Sequence, residues 1–262
     1  MRSVPLLFLV TFTISMGLSH VAVADENPVG KVIAIIGSVD YLPVENVPVA
    51  ENQAGQVRKV SLPAWQKVVP RQPVFTQDQY RTSRKSRLRV LFDDSSLMAL
   101  GPNSQMKVAH YLYKPEEKLR ESVISLAHGF SMYIVNKSQK NEKSYFKMVT
   151  PTAVMSARGT QGFISGSNNS SLIANVVGTV EVTNSDPSVV GMVSLGAMMK
   201  TIVAKGLPPT PPQPLTLAEL NIIEKVVLGM SQSKNADGSL DYEEYQEFED
   251  ELLESCQVGE SL

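Results

Sequence analysis

The most constraining feature of this sequence is a series of short apolar segments that recur about every ten residues and are separated by turn-forming residues. Many of the apolar positions are β-branched, and they often alternate with polar residues, which is typical of strands rather than helices. The pattern predicts a mainly β fold of many short strands, arranged as a compact sandwich or roll or as a short solenoid. The segments lie at residues 87–92, 97–100, 105–113, 122–127, 130–135 and 145–149.

Further strands are expected on both sides of this series. Residues 29–42 have the pattern of two short strands separated by a glycine-serine break. Residues 172–177 and 179–183 flank a single glycine, and we expect them to form a hairpin. Residues 193–203 supply the apolar run that closes the β domain.

Residues 43–63 contain three prolines and lack a strand pattern, so we expect an insertion loop there. The single tryptophan, Trp65, follows this loop. Because large aromatic side chains are mostly buried, Trp65 is expected in the core or at its rim rather than as a ligand-stacking group.

Residues 147–163, K-M-V-T-P-T-A-V-M-S-A-R-G-T-Q-G-F, contain the most unusual local pattern. Pro151 lacks a backbone donor, which places it at a strand start or a bulge. Glycines on either side of the Arg158 region permit positive φ or close approach of the backbone. We expect Arg158 to be half-buried and bonded to backbone carbonyls or a carboxylate, the alternative being an anion or partner contact.

The first residues have the order of a secretory signal. A positive Met1-Arg2 start precedes an apolar stretch from residue 4 to residue 18, and Ala22-Val23-Ala24 then provides a small-residue cleavage site. We expect residues 1–24 to be a cleaved signal peptide and the protein to be periplasmic and not integral to a membrane. The alternative, an uncleaved anchor, would require about 20 apolar residues to cross the bilayer.

The charge distribution divides the chain at a proline-rich segment, residues 206–214. Residues 25–214 carry 21 Lys/Arg against 14 Asp/Glu, whereas residues 215–262 carry 2 against 12. The segment is expected to be a stiff linker between a β domain at 25–205 and an acidic helix-loop-helix at 215–262. Thr216 and Glu219 predict a capping box for its first helix, which should end near residue 228, and a second helix is expected over residues 242–253. The acidic tail could fold back on the basic body, the alternative being that both are solvated faces.

The tail also has the spacing of an EF-hand calcium loop. Such loops provide carboxylate, amide and carbonyl oxygens around a sharp turn, here at Gly238, and they end in a bidentate glutamate. The first position is a serine instead of an aspartate, which should weaken binding. Two interpretations stay open, a weak Ca²⁺ site and a degenerate structural helix-loop-helix. The predicted ligands are Ser233, Asn235, Asp237, Ser239, Asp241 and Glu244.

A basic cluster follows Tyr80. It lacks interleaved aromatic residues, and export separates it from nucleic acid, so we predict no nucleic-acid partner. It could contact an anionic envelope polymer or the acidic tail, or it could be a solvated strand face. The predicted contact residues are Arg81, Arg84, Lys85, Arg87 and Arg89.

Residues 28–205 resemble the FecR domain, an exported β module best known from the periplasmic half of iron-citrate signalling regulators. The most specific part of the resemblance is the pair of motifs at Thr150-Pro151 and Arg158-Gly159-Thr160. It implies a β-rich module used for sensing and protein contact rather than catalysis. Other matching segments are residues 30–32, 37–39, 75–76, 81–83, 91–97, 100–104, 178–182 and 195–197.

The residues themselves provide no catalytic constellation. His110 and His128 lack the paired ligands of a zinc site, and Asp93-Asp94 lies in a context typical of a turn. Cys256 has no partner for an internal disulfide and is surrounded by glutamates, which disfavour a reactive thiolate.

We therefore predict a non-enzymatic binding, sensing or scaffolding protein of the bacterial envelope that calcium could modulate, with an envelope protein or anionic polymer as its partner. The alternatives are a periplasmic component of a sigma/anti-sigma-type system that acts with a separate receptor, and an enzyme acting on envelope sugars. The last would require clustered carboxylates in a cleft.

Overall fold

Seventeen strands and one helix account for most of the regular structure in residues 27–43, 64–137 and 141–228, the parts of the chain that this computed structural model describes. The mainly β fold predicted from the sequence is confirmed. The predicted leader, most of the insertion loop, the second tail helix and the calcium loop lie outside the described residues.

The strands form two sheets that share one long strand, β9 (Leu119–Ile134). In the first sheet, the C-terminal half of β9 lies at the centre, and all pairings are antiparallel. Its order is β4 (Pro73–Val74), β1 (Gly30–Ile36), β6 (Arg87–Phe92), β7 (Leu97–Leu100), β9, β12 (Gln161–Gly166), β13 (Ser170–Val177), β16 (Met199–Ala204) and β17 (Gln213–Pro214).

The second sheet is built around the N-terminal half of β9, which pairs in parallel with β10 and antiparallel with β8. Its other pairings are antiparallel. The order is β3 (Gln66–Lys67), β2 (Val39–Leu42), β5 (Gln79–Thr82), β8 (Gln105–Lys114), β9, β10 (Tyr145–Val149), β11 (Ala153–Ala157), β14 (Val180–Asn184) and β15 (Met192–Leu195).

Strand β9 changes sheets at Gly129, which has a φ of +93°. A Cβ atom at this position would lie 2.5 Å from the Cα of Ser104, so no other residue fits without moving the backbone. The Oγ of Ser104 accepts a hydrogen bond from the Phe130 amide at 2.9 Å, immediately after the bend. The close contact between Gly129 and Ser104 therefore fixes the place where one strand leaves one sheet and enters the other.

The main core lies between the two sheets and is formed by the alternate, inward-facing residues of the strands. Leu88, Val90 and Phe92 of β6 face Met106 and Val108 of β8 within this core, and each is at most 2% exposed. Because every second residue of a strand points inward, Arg87 and Arg89 lie on the opposite, outer face of the first sheet.

The helix, α1 (Leu217–Leu228), packs on that outer face. Thr216 and Glu219 form the predicted capping box: the Thr216 amide and hydroxyl donate to Glu219 Oε2, and the Glu219 amide donates to Thr216 Oγ1 at 3.2 Å. Ile223 and Val227 contact a second apolar cluster on the sheet, with Ala99, Met132, Phe163 and Ala174. The predicted first helix is thus confirmed, and it covers part of the β body.

Three strand predictions need correction. Residues 172–183 do not form a hairpin, because β13 pairs with β12 and β16 in the first sheet while β14 pairs with β11 and β15 in the second. Gly178, with a φ of +81°, lies where the chain crosses between sheets. The predicted strand at 193–203 is two strands, β15 and β16, interrupted near Met198, and the two strands predicted at 122–135 are the single strand β9.

Candidate functional site

The Thr150-Pro151 motif forms the turn between β10 and β11 and is fixed by buried hydroxyl groups. Thr150 Oγ1 and Thr152 Oγ1 lie 2.7 and 2.6 Å from the Oγ of Ser171 on β13, and all three residues are at most 3% exposed. Thr150 Oγ1 also accepts a hydrogen bond from the Ala153 amide at 2.8 Å. These bonds join a turn of the second sheet to a strand of the first, which is a structural role.

The Arg158-Gly159-Thr160 motif connects β11 to β12, where the chain passes from the second sheet to the first. Gly159 has a φ of +64°, and a Cβ there would lie 2.7 Å from the side chain of Lys137. Arg158 is exposed rather than half-buried, and the expected bonds from its side chain to backbone carbonyls or a carboxylate stay a prediction. Ala157, at 5% exposure, is the last inward-facing residue of β11, and Arg158 begins the connection on the solvent side.

The turn after β6 contains a buried ion pair that the sequence did not predict. Arg120 Nη1 donates to Asp94 Oδ2 at 2.8 Å, and both side chains are at most 1% exposed. Asp94 also accepts hydrogen bonds from the Ser96 amide and hydroxyl and from the Tyr111 hydroxyl. Burial and the neighbouring Asp94 raise the pKa of Asp93. Asp94 therefore organises the turn, as its sequence context indicated.

The five residues of the predicted basic cluster do not share one surface. Arg81 lies on β5 of the second sheet, whereas Arg87 and Arg89 lie on β6 of the first. Arg84 and Lys85 are exposed in the connection between these strands. Arg87 is only 8% exposed, and its Nε donates to the backbone carbonyl of Val226 in the last turn of α1 at 3.0 Å. It stabilises the negative end of the helix dipole there.

A different group of polar and aromatic residues meets on strands β2 and β5 and at the start of β3, and we call it the Trp65 patch. The Arg81 guanidinium lies over the Trp65 ring, with its Cζ 4.1 Å from the ring centroid. Asp40 accepts hydrogen bonds from Arg81 Nε at 3.1 Å and Lys67 Nζ at 2.7 Å. The patch consists of Asp40, Tyr41, Trp65, Gln66, Lys67 and Arg81.

The exposure of these side chains shows which charges the Trp65 patch presents. The side chains of Lys67 and Arg81 are 69% and 45% exposed, but that of Asp40 is only 16% exposed. The hydrogen bond from Lys67 has the largest effect on Asp40, burial opposes it, and Arg81 adds to it, so that the pKa of Asp40 is lowered. The patch therefore presents cations and a half-buried indole to solvent, over a carboxylate that holds them in position.

Sequence reasoning placed Trp65 at the core or its rim but did not connect it with Arg81. Asp40 lies on β2, Trp65 immediately precedes β3, and Arg81 lies on β5, and the order of these strands in the sheet follows from non-local pairing. Residues 44–63 separate β2 from Trp65 in the chain and lie outside the described residues. No local spacing links the three positions, so the sequence contained no signal for this arrangement.

No group of three or more His, Cys, Asp or Glu side chains with metal-binding geometry occurs in residues 27–43, 64–137 and 141–228. His110 Nε2 is 3.5 Å from Glu121 Oε2 in an exposed pair across β8 and β9. A pocket between α1 and the first sheet is large enough for about one water molecule, and it is lined mainly by apolar residues such as Phe130, Phe163 and Ile223. That pocket is too small for a metabolite.

The predicted calcium ligands and Cys256 lie outside the described residues, so their geometry is not part of this site. The one helix of the described ranges, α1, has twelve residues and falls short of the length and apolarity that a membrane crossing requires.

Comparison with protein families gives a match to the FecR protein family over residues 78–181. The match is shorter than the 28–205 range of the resemblance. It includes Arg81, Asp94, Arg120, Thr150 and Arg158, but Asp40 and Trp65 precede it. Comparison with curated proteins gives no significant match.

Among solved structures, two of a "putative anti-sigma factor" from Parabacteroides distasonis are similar to this chain. Both are 13% identical in sequence, with TM-scores of 0.43 and 0.42. The alignments cover 55% of this chain and 62% or 63% of those chains, which is less than two thirds of their length.

Proposed function

Since residues 78–181 match the FecR protein family, we propose that this chain is a non-catalytic binding and scaffolding protein of the bacterial envelope whose contact surface is the Trp65 patch. The observation that carries the proposal is the Arg81 guanidinium stacked on the Trp65 ring and fixed by Asp40. A stacked and ion-paired arginine loses little conformational freedom on binding, because its geometry already exists in the free protein.

The composition of the patch supports protein contact. Trp, Tyr and Arg are the residues most enriched among those that dominate binding energy at protein interfaces. The patch has one of each, together with an exposed lysine and an exposed glutamine. Because its outward charges are positive, the partner is expected to present carboxylates or phosphates beside an apolar group, as an acidic protein segment or an anionic envelope polymer does.

Site-specific crosslinking in cells tests this proposal. A photoreactive residue in place of Gln66, which is exposed on β3, should capture a partner, whereas the same residue at Ser188, in the loop next to the opposite edge of the second sheet, should not. In the variant with the photoreactive residue at position 66, Trp65→Ala should lower the yield of crosslinked adduct at least about tenfold, as expected for an interface hot spot. Equal capture at Ser188, or an unchanged yield in Trp65→Ala, would contradict the proposal. Mass spectrometry of the adduct distinguishes protein from polymer.

A second candidate function is a role in a sigma/anti-sigma-type signalling system, in which this chain would act in the periplasm with a separate receptor. The FecR domain supports this candidate. Deletion of the gene should then change the output of a sigma-dependent reporter, and the Trp65→Ala variant should fail to restore it. An unchanged reporter in the deletion strain would exclude this role and leave the scaffolding proposal unaffected.

Calcium modulation and export remain parts of the proposal. Calorimetry of the chain with Ca²⁺ should give binding heat that is lost in Asp237→Ala/Glu244→Ala, and the absence of heat in both proteins would contradict calcium modulation.

Export predicts recovery in the periplasmic fraction at the mass of a chain that begins at Asp25. Recovery of the full-length mass in the membrane fraction would contradict cleavage of the leader.

A further inference from the structure

The structure places the end of α1 beside basic residues, and an acidic segment follows that helix in the sequence. Arg87 Nε donates to the carbonyl of Val226, two residues before the helix ends at Leu228. The chain after the helix therefore starts beside the N-terminal end of β6 in the first sheet. We call the basic residues there that are not buried, Arg84, Lys85 and Arg89, the basic rim.

The segment that follows has the opposite charge. Residues 229–262 contain ten Asp/Glu and one Lys, and nine of the ten acidic residues lie between Asp237 and Glu254. We propose that this acidic segment, residues 237–254, docks on the basic rim of its own chain. The inference does not depend on the Trp65 patch, which lies on the second sheet.

The length of chain between the two groups permits the contact. Asp237 is nine positions after Leu228, and a random-coil chain of that length would have a root-mean-square span of roughly 15–18 Å. The rim residues flank Arg87 in the sequence, and Arg87 contacts Val226, so the rim lies well within this span. Strand β16 of the same sheet is five strand spacings from β6, about 24 Å at roughly 4.8 Å per strand.

Tethering makes a weak contact effective. Individual exposed ion pairs contribute little to stability, but tethering through a short linker in general raises the effective concentration of an attached segment to the millimolar range. Because the basic residues of the rim lie near the surface, the contact should weaken when salt shortens the screening length. The occupied rim would be closed to other polyanions, so the tail would act as an internal competitor.

The single cysteine of the sequence, Cys256, provides a direct test, because a nitroxide attached there reports on the tail without any substitution. In the intact chain at low salt with a chelator, the amide signals of Arg84, Lys85 and Arg89 should lose at least half of their intensity relative to the reduced label. The signals of Thr201 and Ile202 on β16 should not. At 0.5 M salt the rim signals should recover.

A charge-matched pair of variants separates a specific contact from a general charge effect. Arg84→Glu/Lys85→Asn should abolish the loss of signal intensity at the rim. Asparagine tolerates the positive φ of Lys85, so the fold is retained. Lys114→Glu/Lys118→Asn changes the net charge equally, includes another lysine with positive φ, and should leave the effect intact. Equal broadening of rim and β16 signals, or loss of the effect in the control variant, would overturn the proposal.

A mixed sample shows whether the tail docks on its own chain or on a second copy. Spin-labelled chain without ¹⁵N is combined with ¹⁵N-labelled chain without the nitroxide. The proposal predicts no broadening of the rim signals in this mixture. Broadening of the rim signals there would mean that the tail docks on a second copy, which would overturn the intramolecular contact.

Discussion

Arg120 Nη1 lies 2.8 Å from Asp94 Oδ2 in the interior of the protein, and neither side chain is more than 1% exposed. Arg120 Nη1 also donates to the carbonyl of Asn136 at 3.2 Å, and the Arg120 guanidinium lies 5.5 Å from the centroid of the Phe146 ring. One arginine thus connects the β6–β7 turn with the chain after β9 and with β10.

Removal of Arg120 should therefore strongly destabilise the fold. We expect Arg120→Met to lower the free energy of unfolding by about 3–5 kcal/mol, because Asp94 is left as an unpaired buried charge. Denaturant titration at neutral pH measures the change. Lys114→Met, which breaks an exposed pair with Glu117, is the control and should cost less than about 1 kcal/mol. A similar small loss in both variants would contradict this account.

The bend of β9 gives a second prediction. Gly129→Ala combines a φ of +93° with a Cβ that would meet the backbone of Ser104, so we expect a loss of at least about 2 kcal/mol in the free energy of unfolding. Gly196→Ala is the matched control, because a Cβ there meets nothing within 4 Å. It should be neutral or stabilise by up to about 1 kcal/mol. Thermal unfolding of the two variants compares them, and equal midpoints would show that the bend does not require glycine.

The buried hydroxyl group of Ser171 gives a third prediction. Ser171→Ala removes the hydrogen-bonding partner of Thr152 Oγ1 and one partner of Thr150 Oγ1, and should cost about 1–3 kcal/mol. In Ser171→Ala/Thr152→Val the second hydroxyl is absent too, so part of the stability should return. A double variant no more stable than Ser171→Ala would contradict the view that an unsatisfied buried hydroxyl causes the loss. Chemical denaturation of the three proteins provides the comparison.

The helix cap gives a pH-dependent prediction. Burial opposes charge on Glu219, but hydrogen bonds from Lys200 and Thr216 outweigh it and lower the pKa of Glu219. A carboxylate whose pKa is lower in the folded state stabilises that state above its unfolded pKa of about 4.3, and this stability is lost as the pH falls through the folded pKa. Glu219→Gln should therefore increase the rate of amide exchange in α1 at pH 7, because it lowers the free energy of local opening by about 0.5 kcal/mol. This difference between the two proteins should become smaller as the pH falls below 4.

Hydrogen exchange of α1 amides in the two proteins, compared at each pH, checks this dependence. Lys200→Gln should have the same effect at pH 7, since it removes the partner of Glu219 on β16. A ratio of exchange rates that does not change between pH 7 and pH 3 would contradict a role for the charged form.

Features that depend on adjacent residues could be predicted from the sequence. The strands at residues 87–92, 97–100 and 145–149 and the Thr216/Glu219 cap require only local patterns, and the structure has them. The match to the FecR family likewise confirms the resemblance based on short motifs. Each of these depends on propensity, alternation or turn chemistry within about ten residues.

The predictions that were wrong, and the contacts that were not predicted, depend on non-local pairing. The crossing at Gly178 has the same local appearance as a hairpin, and only the choice of partner strands distinguishes the two. Arg87 and Arg81 look equivalent in the sequence, but one lies under α1 and the other stacks on Trp65. The predicted calcium loop and leader lie outside the described residues and stay predictions.

The sharing of β9 between the sheets has a mechanical consequence. Its sixteen residues form backbone hydrogen bonds in both layers, so a force that shears one sheet against the other acts along a covalent chain as well as across packed side chains. Sliding of the layers would require the ladder of β9 to break in at least one of them. We expect the two sheets to lose their structure in one step under load, with the amides of β9 the last to become accessible to solvent.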